Sequence, residues 1–148
     1  MTFIRDLDRS DCDKWLTGYR FYAEHYETDL TDACIDTTRA WLMDSDHPLT
    51  VIVAEDNARL IVLAHYRAMP SPLRCGNLVF LDALLVAPQD RVSDAAKLLL
   101  GALKSIAKEQ KWAKIRWITR DDNYRARALY YKLATKTNWA MYEMDPDS

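Results

Sequence analysis

Glycine is scarce in this sequence of 148 residues: only Gly18, Gly76 and Gly101 occur, and none lies between Val86 and Ser93. Cysteine is scarce as well, because the chain has three, widely spaced and without a CxxC or Cys/His pair. That pattern argues against both a zinc site and a disulfide framework. No apolar run approaches the ~18 residues of a membrane span. The sequence therefore predicts neither a metal centre nor a membrane protein.

An excess of charge of one sign is also missing, since the formal net charge is −2. This balance gives no reason to expect nucleic acid or acidic membranes as partners. Hydrophobic residues make up 49% and charged residues 28%, which is typical of a soluble globular protein, and the length suits a single domain over residues 1–148. The first residues, MTFIRDLDRSD, resemble neither a signal peptide nor a transit peptide. We therefore expect a cytoplasmic protein.

The most informative part of the sequence is one stretch that predicts a strand, a short loop and a helix. Val79–Val86 is a nearly unbroken apolar run of strand length, and Pro88 ends it because proline cannot donate to a strand ladder. Ser93 is a good N-cap, Asp94 follows in the first turn, and an apolar stripe predicts a helix to about Lys108. Free backbone N–H groups at the start of such a helix favour an anion site.

The remaining elements predict an α/β fold, with a mixed, mostly antiparallel sheet and helices on both faces. Three consecutive strands favour an antiparallel meander, and a later strand–helix–strand unit favours a parallel pair. The predicted strands are Thr2–Leu7, Leu49–Ala54, Arg59–Arg67, Lys114–Thr119 and Trp139–Met144, and the predicted helices run from Ser10 or Asp11 to about Tyr26, from Thr31 or Asp32 to Asp44, and over Tyr124–Leu133.

An aromatic stripe marks the first predicted helix. Trp15, Tyr19, Tyr22 and Tyr26 recur at helical spacing. Such a stripe is more often core or groove wall than a cofactor site. It could also line a groove for a cationic acceptor, because cations favour aromatic faces.

The element order and three segments resemble the GCN5-related N-acetyltransferase (GNAT) family over almost the whole chain. FLDALLVAP (Phe80–Pro88) looks like the family's fourth strand, and QDRVSDAAKLLL (Gln89–Leu100) occupies the position of its pyrophosphate loop. DDNYRARALYYKL (Asp121–Leu133) matches the family pattern Asn-x-x-Ala-x-x-Leu-Tyr and is the most specific of the three.

The resemblance implies transfer of an acetyl group from acetyl-CoA to a primary amine: a polyamine, another small amine or a protein lysine. It places the pantetheine arm against main-chain atoms of Leu84 and Val86. It also implies that the pyrophosphate rests on the N–H groups of residues 91–96, and family members often pair as homodimers. The cofactor-binding loop then consists of Arg91, Val92, Ser93, Asp94, Ala95 and Ala96.

Asp94 departs from the family's loop pattern, in which a glycine stands at this position. Glycine lets the backbone approach phosphate closely, whereas Asp94 adds both a Cβ and a negative charge. Like charges ~4 Å apart cost about 1 kcal/mol in water and several near a protein surface. An acid here also favours the helix dipole. Two interpretations stay open: an N-acetyltransferase with altered cofactor affinity, or an inactive GNAT-fold binding module that has lost coenzyme A.

The resemblance implies that Tyr130 is the general acid that protonates the departing thiolate. A phenol of pKa ~10 suits a thiol of pKa ~8.5. Asn123 fits a residue near the cofactor, a helix N-cap, or both. Asp82, an acid in an apolar strand, is the candidate base for the amine, or else a substrate anchor or a paired core acid. Weaker candidates for the base are Glu24, Glu55 and His65. Candidate acceptor-binding residues are Tyr22, Glu24 and Tyr26.

Overall fold

The computed structural model describes residues 2–86 and 94–147, and the chain groups into two compact units, residues 1–118 and 119–148. The division leaves the prediction of a single domain as a prediction. Within the described residues, the first unit contains β1 (Thr2–Asp6), a 3₁₀ turn (Arg9–Asp11), α1 (Cys12–His25), α2 (Asp32–Met43), β2 (Leu49–Asp56), β3 (Arg59–Ser71), β4 (Gly76–Val86), α3 (Ala95–Glu109) and β5 (Ile115–Trp117). The second unit contains α4 (Tyr124–Leu133).

The strands form one sheet in the order β1-β2-β3-β4-β5. The first four strands are antiparallel neighbours, and β5 is parallel to β4 because α3 carries the chain back between them. A tight turn joins β2 to β3 through Asn57 and Ala58, whose φ angles are 51° and 63°. The predicted mixed, mostly antiparallel sheet is therefore confirmed.

Helices cover both faces of this sheet. On one face, Trp15 of α1 and Ile35 of α2 are buried in a cluster with Val53 of β2. Ile52, which alternates with Val53, is buried on the other face, where α3 contacts β2 and β3 through a stripe that includes Leu99. Each such large side chain contributes about 1.5–3 kcal/mol to folding when it is fully buried. The stacking of α1 and α3 on opposite faces fixes the position of β4 between them.

Helix α3 begins one residue later than the sequence predicts. Asp94 takes the N-cap position, and the helix runs from Ala95 to Glu109. Ser93, the predicted N-cap, lies outside the described residues. Strand β3 is also longer than predicted, since it continues through Ser71, and β5 is shorter, at Ile115–Trp117.

The predicted last strand, Trp139–Met144, is wrong. The described residues of this segment are in neither a strand nor a helix. The segment is rich in apolar side chains, yet Trp139 is 70% exposed and Tyr142 is 91% exposed. An apolar run forms a strand only when another strand pairs with it.

Candidate active site

A β-bulge at Asp82 interrupts the pairing between β3 and β4. The neighbouring β3 residues His65 and Tyr66 pair with Ala83 and Leu81, so the register skips Asp82. A bulge adds one residue to a strand, bends it and increases its twist, and bulges are common beside active sites. Here the bulge re-aims the side chain and carbonyl group of the acid that the sequence singled out.

Beyond the bulge, one edge of β4 is open. Strand β5 pairs with β4 only at Val79, Phe80 and Leu81. In the described part of the first unit, residues 82–86 have no strand partner on the β5 side. Leu84 and Val86 are half-buried on this segment. An extended ligand can pair with the backbone of such an edge, as an added strand would.

Tyr22 connects α1 to the bulge. Its hydroxyl group donates a hydrogen bond to the carbonyl oxygen of Asp82, at 3.2 Å. Burial, with smaller effects from Tyr26 and Asp82, raises the pKa of Tyr22 to about 12, so the phenol stays neutral at physiological pH. Tyr26 packs edge-on against Tyr22, with 4.9 Å between the ring centroids. Two of the predicted acceptor-binding residues therefore lie together, and one of them, Tyr22, contacts Asp82.

The carboxylate of Asp82 is paired with Arg67, a residue that sequence reasoning missed. Arg67 Nε donates to Oδ2 at 2.9 Å and to Oδ1 at 3.1 Å. The two side chains are 41% and 30% exposed, respectively, so this is a pair at the protein surface. In the sequence, Arg67 is a cation at the end of a predicted strand. Its contact with Asp82 follows from the register between β3 and β4, which the sequence does not show.

The start of α3 presents backbone N–H groups beside an exposed acid. The first hydrogen bond inside the helix runs from Leu98 N–H to the carbonyl oxygen of Asp94, at 2.9 Å. Asp94 is exposed, and among the described residues its side chain makes no capping hydrogen bond. Ala95 and Ala96 follow Asp94 in the first turn of the helix. The other predicted loop residues, Arg91, Val92 and Ser93, lie outside the described residues.

Glu24 lies on a different face of α1 from Tyr22. It lines an open hollow of about 520 Å³ at the end of the helix, together with Arg20, Glu27 and Asp29. The structure thus does not group Glu24 with the other two predicted acceptor-binding residues.

Two weaker candidates for the base, His65 and Glu55, have structural contacts instead. His65 is buried, and its Nε2 accepts a hydrogen bond from Trp15 Nε1 at 3.0 Å. Burial lowers the pKa of His65 to about 4. Glu55 forms an ion pair with Arg5 Nε at 2.9 Å. Neither side chain is placed as a base for an incoming amine.

The second unit carries the residues of the third resembling segment. Asn123 is the N-cap of α4, and its side chain accepts a hydrogen bond from Ala126 N–H at 3.3 Å. This confirms the capping role, while a cofactor contact stays a prediction. Tyr130 is half-buried on α4, and the exposed Tyr131 accepts a hydrogen bond from Arg127 at 2.9 Å. The catalytic role of Tyr130 stays a prediction.

Over residues 2–86 and 94–147, no three His, Cys, Asp or Glu side chains cluster in a way that could hold a metal ion. No helix in these ranges has the length and apolar character needed to cross a membrane.

Comparisons with known proteins match this architecture. The model of the acetyltransferase (GNAT) family matches residues 11–134. D-amino-acid N-acetyltransferase HPA3 of Saccharomyces cerevisiae is 25% identical over 142 residues, which cover 95% of this chain and 88% of the yeast protein.

Solved structures share the fold at low identity. The ribosomal-protein-alanine N-acetyltransferase of Brucella melitensis biovar Abortus 2308 has a TM-score of 0.81 at 19% identity, and the match covers 98% of this chain and 99% of that one. Aminoglycoside N-acetyltransferase AAC(6')-Iy, solved with CoA, has a TM-score of 0.83 at 15% identity over 99% and 95% of the two chains. With the family match over most of its length, the chain belongs to the acetyltransferase (GNAT) family and is an N-acetyltransferase in enzyme class.

Proposed function

We propose that this enzyme transfers the acetyl group of acetyl-CoA to a small primary amine by direct attack in a ternary complex. The new N–C bond forms as the C–S bond of the thioester breaks. The ammonium group loses its protons before and during attack, and the thiolate gains one, so the products are the amide, the free thiol and one proton.

The open edge of β4 is the observation that supports the proposal. Residues 82–86 offer unpaired backbone on the β5 side of the described sheet, directly after the bulge. The main-chain atoms of Leu84 and Val86 would pair with the amides of the pantetheine arm. The first turn of α3 would hold the pyrophosphate, together with Arg91 and its neighbours. Acetyl-CoA supplies the activated acetyl thioester.

Tyr130 and Asp82 have separate roles in this proposal. Tyr130 donates its phenolic proton to the leaving thiolate, and Asn123 lies near the cofactor. Asp82 holds the ammonium group of the acceptor and passes its proton to water. Tyr22 and Tyr26 form the wall of the acceptor groove, and Glu24, on another face of α1, is not part of it. General acid–base contributions of this kind are worth typically 10²–10⁴-fold in rate.

The acceptor class rests on the relatives. The yeast relative is named for D-amino acids, and neighbours in fold are named for aminoglycosides and for a ribosomal-protein alanine. All of these names describe a primary amine on the acceptor. We therefore keep the acceptor as a small primary amine, with polyamines and protein lysines as the other classes to test.

Asp94 favours the alternative function, a binding module without coenzyme A. The acid lies at the N-cap of α3, where two phosphate charges would rest. Its repulsion could lower cofactor affinity by one to three powers of ten, since each 1.4 kcal/mol is tenfold. Because the side chain is exposed, the carboxylate can turn toward solvent, which reduces this cost.

Calorimetric titration with acetyl-CoA separates the two functions. We expect wild type to bind in the micromolar range, Asp94→Asn to bind more tightly through loss of charge, and Asp94→Gly to bind at least as tightly as Asp94→Asn. Asp32→Asn is the matched control, because Asp32 is an acid in the first turn of α2. No heat from wild type with clear binding by Asp94→Gly would favour the module.

A homodimer is part of the proposal. The segment from Trp139 to Met144 exposes four large apolar side chains, and exposed apolar surface of this kind is typical of interaction sites. Because members of the family often pair as homodimers, we propose a second copy of this chain as the partner. The exposed fractions are 70% for Trp139, 59% for Met141, 91% for Tyr142 and 92% for Met144.

A further inference from the structure

The arginine at the bulge is oriented by contacts on one side. Arg67 donates from Nε to both carboxylate oxygens of Asp82, and its guanidinium carbon lies 5.1 Å from the ring centroid of Phe80. A ligand that binds this guanidinium group therefore meets donors that are already oriented, which lowers the ordering cost of binding.

Most of the donor capacity of Arg67 remains unused in the described residues. Of its five N–H groups, Nε–H is engaged by Asp82, and Nη1 approaches only the weak acceptor Sδ of Met69, at 3.9 Å. No described oxygen atom accepts from Nη2. The side chain is 41% exposed, so these terminal N–H groups can reach a ligand.

Arg5 shows what a purely structural arginine looks like in this chain. Its Nε donates to Glu55, its Nη2 to Asp11, and its Nη1 to Asp11 and the carbonyl oxygen of Asp6, at 2.7–3.0 Å. All three nitrogens of Arg5 are thus bonded within the protein. Arg67 differs because its two terminal nitrogens have no such oxygen partner among the described residues.

Arg67 and Asp82 together offer a cation and an anion at the point where the open edge of β4 begins. A planar guanidinium group recognises a carboxylate through paired N–H donors, and a carboxylate recognises an ammonium group. A free amino acid carries both complementary charges on one carbon. A polyamine carries only positive charges, so Arg67 would repel it.

We propose that Arg67 is a specificity-determining residue that binds the carboxylate of an amino-acid acceptor, while the ammonium group of that acceptor lies beside Asp82. This assignment rests on the proposed function, because it uses the same acceptor site. It narrows the acceptor from any small primary amine to one with a carboxylate next to the amine.

The test compares acceptors that share one side chain. Wild type, Arg67→Gln and Arg74→Gln are assayed for thiol release from acetyl-CoA with D- and L-phenylalanine, with the corresponding phenylalaninamides and with 2-phenylethylamine. Arg74 is the matched control, since it is an exposed arginine in the turn between β3 and β4. Parallel series with alanine and leucine test whether the size of the acceptor side chain changes the preference for the acid over the amide.

For wild type, we expect kcat/KM for the acid to exceed that for the amide by about tenfold or more, because hydrogen-bonded recognition discriminates strongly. In Arg67→Gln this ratio falls to about one, mainly through a higher KM, as expected for lost binding contacts. Arg74→Gln keeps the wild-type ratio. The ratio is measured within each variant, so partial loss of folded protein cannot mimic the result.

Equal use of acid and amide by wild type overturns the proposal, as does an equal loss for every acceptor in Arg67→Gln. If no acceptor is acetylated, calorimetric titration of phenylalanine and phenylalaninamide into the CoA-saturated protein replaces the assay. Selective binding of the acid that Arg67→Gln abolishes supports the carboxylate site, even though the proposed function then fails. If the protein does not bind the acid selectively, the proposed carboxylate site is overturned. The titration with acetyl-CoA then decides independently whether the protein binds its cofactor.

Discussion

His65 is a buried ring whose hydrogen bond fixes its protonation state. Because Nε2 accepts from Trp15 Nε1 at 3.0 Å, the proton of the neutral ring is on Nδ1. The ring also stacks on Trp15 at 6.4 Å and tilts against Tyr19 at 6.0 Å. Protonation would place a charge in the middle of this aromatic cluster and remove the acceptor for Trp15.

Stability should therefore fall as the pH drops below the ordinary pKa of histidine. Burial lowers the pKa of His65 from 6.5 to about 4, so the unfolded chain takes up a proton that the folded chain excludes. The contribution of neutral His65 to the free energy of unfolding is complete above pH ~6.5 and is lost progressively toward pH ~4. Denaturant unfolding should show that the free energy of unfolding falls by about 2 kcal/mol between pH 7.5 and pH 5.

His65→Gln isolates this effect, because a glutamine oxygen can still accept from Trp15 without titrating. We expect this variant to be nearly independent of pH over the same interval. His25→Gln is the matched control, since His25 is an exposed histidine, and it should keep the wild-type slope. An unchanged slope in His65→Gln would assign the acid sensitivity to other groups.

Tyr130→Phe tests the proposed general acid. Loss of the phenolic proton should lower kcat by about 100-fold, within the range of general acid catalysis, while the affinity for acetyl-CoA changes by less than about twofold. Tyr131→Phe is the control, because Tyr131 is exposed and bonds to Arg127. Pre-steady-state thiol release measures the chemical step directly. A larger loss in the control than in Tyr130→Phe would reverse the assignment.

Among the secondary-structure elements, the β2–β3 hairpin contains a strained turn residue. Ala58 has a φ of 63°, in the left-handed region that glycine adopts without a steric penalty. Ala58→Gly should raise the free energy of unfolding by about 0.5–1 kcal/mol, because relief of strain exceeds the added entropy of the unfolded chain. A rise in Tm of about 1–4 °C would report this stabilisation.

Asn57→Gly is the comparison for the hairpin. Asn57 has a similar φ of 51°, but asparagine tolerates this region, so the gain should be smaller. Equal gains at both positions would show that strain at Ala58 is not the cause.

The sequence predicts elements well where periodicity is local. The apolar stripe of α3 and the continuous apolar run of β4 are each set by neighbouring residues, and both are confirmed. The strand predicted from Trp139 to Met144 is absent because a strand requires a partner strand, which a local run of apolar residues cannot supply. The bulge at Asp82 and its contact with Arg67 depend on the β3–β4 register, so no local pattern could reveal them.

The whole molecule was predicted as a GNAT-type acetyltransferase, and the family and fold are confirmed. Motif order supported this prediction, because three segments in sequence are more specific than any one of them. The general-acid role of Tyr130 and the cofactor contact of Asn123 are implied by the resemblance, the role of Asp82 follows from its place in an apolar strand, and all three stay predictions. The cytoplasmic location stays a prediction as well.

Self-association belongs to this scale. Sedimentation velocity from about 1 to 100 μM should show a dimer for wild type, the range in which specific apolar interfaces associate. Replacing both Trp139 and Tyr142 with serine should shift the population to monomer, because these side chains are 70% and 91% exposed. Leu73→Ser, at an exposed leucine outside the segment, should leave the dimer intact. A monomeric wild type at 100 μM would contradict the proposal.

The extra residue at position 82 also affects how the gene can change. Because neighbouring β3 residues pair with Leu81 and Ala83, losing the codon for Asp82 alone would turn the bulge into a regular ladder and leave both pairings in place. Ala83 and Leu85 would keep their places in the core that they share with α1. The deletion would instead remove the anion that pairs with Arg67, so the acceptor site can be lost at this point without a change in the core.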